Sequence, residues 1–218
     1  MKTIFLKAKK PLVKEITKEG SKPYPLVKNF TSNEEDITVD KKGLNKLFRT
    51  LIKESALGTC MLKGTLKRPL DNESRAFMSD RSEPTQLLVL DIDGLRATPS
   101  EDIQAMADRV VLQLPNIFHN VSYIAQASAS LGIKKNTVSL HLFFLLDMPV
   151  HPKTLKDYLR MINYECEFLA EQITLSANGQ SLSCVLDPSV ADNSKLIYIA
   201  PPKFTGVKDP YPEGFFFF

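Results

Sequence analysis

Two aspartates one residue apart close a short apolar run in LLVLDIDGL, residues 87–95. Side chains two apart on a strand share a face, so Asp91 and Asp93 are expected to point the same way while Ile92 turns into the core. Two such carboxylates repel, and burying both unpaired is costly. A divalent cation removes the problem. Mg²⁺ and Mn²⁺ take oxygen ligands and keep positions open for substrate phosphates. The plainer alternative is a solvated carboxylate pair, or one paired with a nearby arginine. In VSLHLFFLL (138–146), Ser139, His141 and Phe143 alternate with Val138, Leu140 and Leu142, which puts His141 on the open face of a sheet. A histidine there can donate to a phosphate oxygen. Asp187 ends a third apolar run, SCVLD (183–187), where Pro188 prevents a central strand from continuing. Three carboxylates and a histidine on neighbouring strands would suit two metal ions that activate a 3′-hydroxyl and steady a leaving pyrophosphate in an in-line displacement.

The elements that must position these residues follow a pattern from residue 86 onward. QLLVLDI is a strand. Thr98 and Glu101 form a capping box with Pro99 at the first helical position. Ile103, Met106, Ala107, Val110, Val111 and Leu114 then mark one helical face. VSYIAQA (121–127) and VSLHLFFLL are strands joined by a segment with Gly132 and Asn136 as turn residues. A long helix runs from His151 to Ile173, followed by the strands SCVLD and KLIYIA (195–200). The order strand, helix, strand, strand, helix, strand is the split βαβ plan. The expected fold is α/β (α+β), with an RRM-like or ferredoxin-like βαββαβ core and an N-terminal α/β extension. LLVLDID is expected at the centre, with VSLHLFF parallel on one side and SCVLD antiparallel on the other.

Before this core, residues 1–39 read as irregular, with an acidic turn at NEEDITVD. Leu44, Leu47, Phe48, Leu51 and Ile52 predict a helix over 41–56, and TCMLKG (59–64) a short strand. A polar, basic connection, 67–85, carries Arg75 and Arg81. The divisions that follow are an N-terminal basic extension over 1–58, a core over 59–204 and a tail or linker over 205–218.

Composition narrows the class. The chain has 218 residues, 43% of them hydrophobic, enough for one good core. No apolar run approaches the ~20 residues of a membrane span, and the N-terminal apolar stretch is too short for a secretory signal, so a cytoplasmic protein is expected. Cys60, Cys166 and Cys184 form no C-x-x-C pair, which disfavours zinc and a disulfide framework. Residues 1–90 carry 18 Lys and Arg against 11 Asp and Glu, a balance of +7, whereas residues 91–218 carry 10 against 14, a balance of −4. A basic N-terminal part beside an acidic site suits a polyanion partner.

The motifs D-I-D (91–93), S-L-H (139–141) and L-D (186–187), in this order, resemble those of the archaeo-eukaryotic primase superfamily over about residues 59–204. The chain looks most like the primase-polymerase domains of phage and plasmid replication proteins. The resemblance implies a nucleotidyltransferase that makes primers on single-stranded DNA from NTPs or dNTPs in a bacterial or archaeal host. It implies Asp91, Asp93 and Asp187 as ligands of Mg²⁺ or Mn²⁺, two ions in all, with no zinc. It implies His141 and Ser139 as contacts of the incoming triphosphate. Lys195, Ser128 and Ser130 are further candidates for the nucleotide, and Lys134, Lys135, Arg75 and Arg81 for nucleic acid. Such domains are often fused to a helicase, supplied here C-terminally or in trans. DPYPEGFFFF fits a chain cut from a longer one, because four phenylalanines would form an exposed apolar patch unless they dock.

Two other readings compete. VLDIDGL nearly fits the signature of haloacid-dehalogenase-like phosphatases, with Asp91 as nucleophile. Leu95 stands where a small hydroxyl residue is expected, the motif lies far into the chain, and no later acidic pair with a preceding lysine follows. A non-catalytic RRM-like nucleic-acid-binding module would instead stack bases on exposed aromatics, for which Phe143 is the candidate.

Overall fold

A computed structural model describes residues 1–97, 102–133, 136–211 and 214–218. The expected capping box at 98–101 and the candidates Lys134 and Lys135 lie outside the described residues.

The chain is a mixed α and β protein whose two largest sheets are antiparallel. The first sheet contains β1 (Lys2–Lys7), β2 (Asn29–Asp36) and β3 (Cys60–Leu62), with the short strand Glu73–Ser74 at the β2 edge. Residues 1–39 are therefore not irregular. The run TIFL of β1 is buried on both faces, which removes the alternation that marks a half-buried strand. NFTSNEED in β2 has a single large apolar residue, Phe30, and is held as a strand by its partner rather than by its own composition. Cross-strand charge complements the pairing, with Lys2 Nζ 3.0 Å from Glu34.

Helix α1 (Lys41–Ala56) matches its expected span. Asp40 caps it, accepting from the Gly43 amide at 2.7 Å. Leu44, Leu47 and Leu51 enter the core shared by both sheets.

The second sheet contains β4 (Thr85–Arg96), β5 (Ile124–Ala127) and β6 (Thr137–Val150). Helix α2 (Ile103–Val111) joins β4 to β5. Its N-cap is Asp102, whose side chain accepts from the amides of Gln104 and Ala105. β6 lies between β4 and β5 and is antiparallel to both. The expected parallel pairing of VSLHLFF with LLVLDID is thus corrected. The helical crossover leaves β4 and β5 parallel with a gap between them, and the hairpin after β5 returns β6 into that gap in the opposite sense. Gly132 and Asn136, expected as turn residues in that connection, both have positive φ. On the far side of β4, Leu186 makes an isolated antiparallel bridge to Ile92, so the SCVLD segment flanks β4 as a bridge rather than a full strand.

Helix α3 (Pro152–Glu165) covers one face of this sheet with Leu155, Leu159 and Ile162. It is shorter than expected. Cys166 adopts an extended backbone, and a single further turn, Glu167–Ala170, follows. β7 (Leu196–Tyr198) joins β3 in the first sheet, so that sheet combines strands from both sides of position 58. The terminal phenylalanines dock: β8 (Phe216–Phe217) pairs with β5, and the Phe218 ring lies 5.7 Å from that of Phe48 on α1.

No helix among the described residues is long and apolar enough to cross a membrane.

Candidate active site

The register of β4 on β6 assembles the site. Asp91 lies opposite His141 and Val89 opposite Phe143, on the face that looks toward the first sheet. Between the Leu140–Ile92 and Val138–Leu95 pairs, Asp93 and Gly94 oppose the single residue Ser139. This is a β-bulge, and Gly94 has φ +73°, a conformation open to glycine at little cost. The strand therefore does not stop at Gly94, as its sequence suggests, but continues to Arg96. The bulge aims Ser139 at the aspartates. Ser139 Oγ accepts from the Gly94 amide and donates to Asp93 Oδ1, each at 3.0 Å. Ser130 Oγ donates to the same oxygen at 3.1 Å and lies 3.3 Å from Ser128 Oγ.

His141 is 8% exposed. Its Nδ1 lies 3.0 Å from Gln126 Oε1 and its Nε2 3.4 Å from Asp91 Oδ1. Gln126 fixes the proton arrangement. Its amide nitrogen donates to the carbonyls of Tyr198 and Ile199, so its oxygen must face His141 and accept a hydrogen bond from Nδ1–H. Nε2 is thereby directed at Asp91 and the cavity beyond.

Asp187 sits at the turn after the Leu186 bridge. Its amide donates to the Asp91 carbonyl, and the Asp93 amide donates to the Val185 carbonyl, each at 2.9 Å, which ties the turn to β4. Burial alone would push the Asp187 carboxyl up, but hydrogen bonds from Ser189 and Lys195 hold it below the usual carboxylate range. Lys195 Nζ is 2.9 Å from Asp187 Oδ2 and 2.6 Å from Ser189 Oγ.

One cavity of about 600 Å³ is bordered by Asp91, Asp93, His141, Asp187, Lys195 and the serines 128 and 130. Its volume lies within the ~300–1,000 Å³ usual for small-molecule sites. Two tyrosines also border it, Tyr24 from a segment that carried no signal in the sequence and Tyr198 from KLIYIA, which was read as a strand but not as part of a site. Tyr24 and Tyr198 stack with ring centroids 3.7 Å apart and an interplanar angle of 10°, and Lys14 Nζ lies 5.9 Å from the Tyr24 ring. Burial pushes the Tyr24 phenol up, with Tyr198 and Asp91 adding to the effect. Gln126 was equally hidden, as one polar residue inside an apolar strand.

Three sets of expected residues do not border this cavity. Ser139, expected at the triphosphate, is buried and holds Asp93 instead. Phe143 is fully buried against the first sheet, so it is not an exposed stacking platform. Arg75 donates to the Ser194 carbonyl at 2.6 Å and lines, with Arg81 and Lys28, a separate cavity of about 450 Å³. Leu196 borders both cavities.

The donor set is all hard oxygen, which fits Mg²⁺ or Mn²⁺. Among the described residues, no three His, Cys, Asp or Glu side chains are grouped closely enough to hold a metal ion between them. Asp187 is engaged by Lys195 and Ser189. The arrangement that fits is two carboxylates, Asp91 and Asp93, with the other positions left to substrate phosphates and water, the usual manner of Mg²⁺.

Compared with known proteins, the chain matches no protein-family model, no curated protein and no solved structure.

Proposed function

We propose that this protein is a nucleotidyltransferase of the primase-polymerase type, which joins nucleoside triphosphates on a single-stranded DNA template. The observation that carries the reading is the convergence of Asp91, Asp93, His141, Asp187 and Lys195 on one cavity, with the buried Ser139 hydrogen-bonded to Asp93. The spatial order Leu186 segment, β4, β6, β5 fits the split βαβ plan, and the finer reading is an RRM-like βαββαβ core.

In this reading the two ends of the cavity divide the work. Asp91 and Asp93 would hold Mg²⁺ or Mn²⁺, and the metal supplies Lewis-acid stabilisation of charge at the phosphoryl group. Ser139 and Ser130 fix the Asp93 carboxylate so that its orientation is set before substrate arrives. His141, held by Gln126 through Nδ1–H, directs Nε2 at the substrate and donates to a phosphate oxygen when both ring nitrogens carry protons. Lys195 supplies a positive charge at the same wall and can exchange its contact with Asp187 for one with the triphosphate. The paired Tyr24 and Tyr198 border the same cavity and offer aromatic surface suited to the less polar part of a nucleotide.

The test is primer synthesis on single-stranded DNA with labelled nucleotide and Mg²⁺ or Mn²⁺, comparing wild type with Asp93→Ala. Short products from wild type alone are expected. If wild type makes none, with or without a supplied primer, yet hydrolyses a phosphate monoester, the phosphatase reading replaces this one.

A further inference from the structure

Helix α1 has a second face that the cavity does not use. Lys42, Lys46, Arg49 and Lys53 follow at intervals of four, three and four residues, and all four are exposed. That spacing makes one continuous stripe along the helix. The stripe lies opposite the buried leucines, so α1 is apolar on one side and cationic on the other. A shallow groove of about 530 Å³ on this side is bordered by the four cations, Asn45 and Thr50, with no carboxylate and no aromatic among them. Lys46 lies 3.2 Å from Glu35, and Lys42 lies near enough to Asp40, the cap of the helix, for their charges to interact. Between Lys41 and Lys53 the chain carries five cations and no acid.

We infer that this stripe is a docking ridge for the phosphate backbone of duplex nucleic acid, such as the template–product helix leaving the site. The inference rests on the nucleic-acid reading of the cavity and adds a partner surface to it. From Lys42 to Lys53 the helix rises about 16 Å, at 1.5 Å per residue. One strand of B-DNA presents a phosphate about every 3.4 Å along its axis, so the stripe spans roughly five of them. The chemistry favours a duplex over a single strand. Single-strand binders add aromatic platforms on which bases stack, and this groove has none. Phosphate contacts alone set position without reading sequence.

The test is fluorescence anisotropy with a labelled 20-base-pair duplex and the matching single strand, without nucleotide or divalent ion, across a series of salt concentrations. The full chain is compared with a triple variant, Lys42→Gln, Arg49→Gln and Lys53→Gln. A control triple of equal charge change carries Lys9→Gln, Lys10→Gln and Lys18→Gln, all exposed and off the stripe. Circular dichroism checks that α1 persists. The stripe variant should lower the slope of log affinity against log salt by about 0.9 per lost duplex contact, up to roughly 2.7, with the control close to wild type. Equal losses from both triples, no loss from the stripe, or a loss confined to the single strand would each overturn the assignment. Extension of a short primed template by the stripe variant reports separately on the cavity. Asp93→Ala should bind duplex as wild type does while making no product, so the two readings can fail independently.

Discussion

Lys63 is 2% exposed, and its ammonium nitrogen donates to Thr85 Oγ1 at 2.9 Å. Burial pulls its pKa down to about 8 from the ordinary 10.5. One pKa unit is worth about 1.4 kcal/mol, so keeping this amine protonated in the fold costs on the order of 3 kcal/mol below pH 8. As pH rises from 8 to 10.5 the folded state gives up the proton while the unfolded chain keeps it. Stability contributed by this group therefore increases with pH across that window. Lys63→Met keeps most of the side-chain volume and removes the charge. It also removes the hydrogen bond to Thr85, a loss of about 1 kcal/mol. The variant should be more stable than wild type by about 2 kcal/mol at pH 7, with the advantage gone or reversed near pH 10.5. Urea unfolding followed by circular dichroism at both pH values measures this, because other alkaline titrations cancel between the two proteins. An unchanged or lower stability of Lys63→Met at pH 7, with the same pH dependence as wild type, would refute the reasoning.

Three further substitutions test the site. Gly94→Ala meets no atom within 4 Å of the added Cβ but must hold φ +73°, so it should cost about 1–2 kcal/mol, read as a fall in melting temperature of roughly 2–8 °C. Gln126→Leu strips the Tyr198 and Ile199 carbonyls of a donor and His141 of its partner; it should destabilise by about 1–3 kcal/mol and lower kcat/KM on the order of tenfold to a hundredfold. Lys195→Met should raise the KM for nucleotide about tenfold. It should also make the protein more acid-sensitive: Asp187, held low in the fold, contributes stability that is present above its unfolded pKa and lost as pH falls through its folded one, and removing Lys195 moves that loss to higher pH.

What could be read from the sequence was local. The 41–56 helix carried its own periodicity and matched in full. Asp91, Asp93, Ser139 and His141 could be assigned to one sheet face because alternation is a property of each strand alone. What could not be read was pairing between distant segments. NFTSNEED has no strand signal and is a strand because Lys2–Lys7 lies beside it. KLIYIA could be read as a further strand but not assigned to a sheet, and it completes the first sheet, beside Cys60–Leu62. The packing of that sheet explains the burial of Phe143. The first sheet covers the end of that face that carries Phe143, and leaves His141 at the border of the cavity. The same packing brings in Lys14, Tyr24 and Tyr198, and sets the carbonyls that orient Gln126 and, through it, His141. A motif search finds the residues that can bind a metal and a phosphate. The cavity around them is built by segments far away in the chain, so the cavity's choice of nucleotide should respond to substitutions at Tyr24 and Tyr198 that leave every motif residue intact. Leucine at either position should change the KM for nucleotide more than kcat, and an equal fall in both would place these rings in the chemistry rather than in binding.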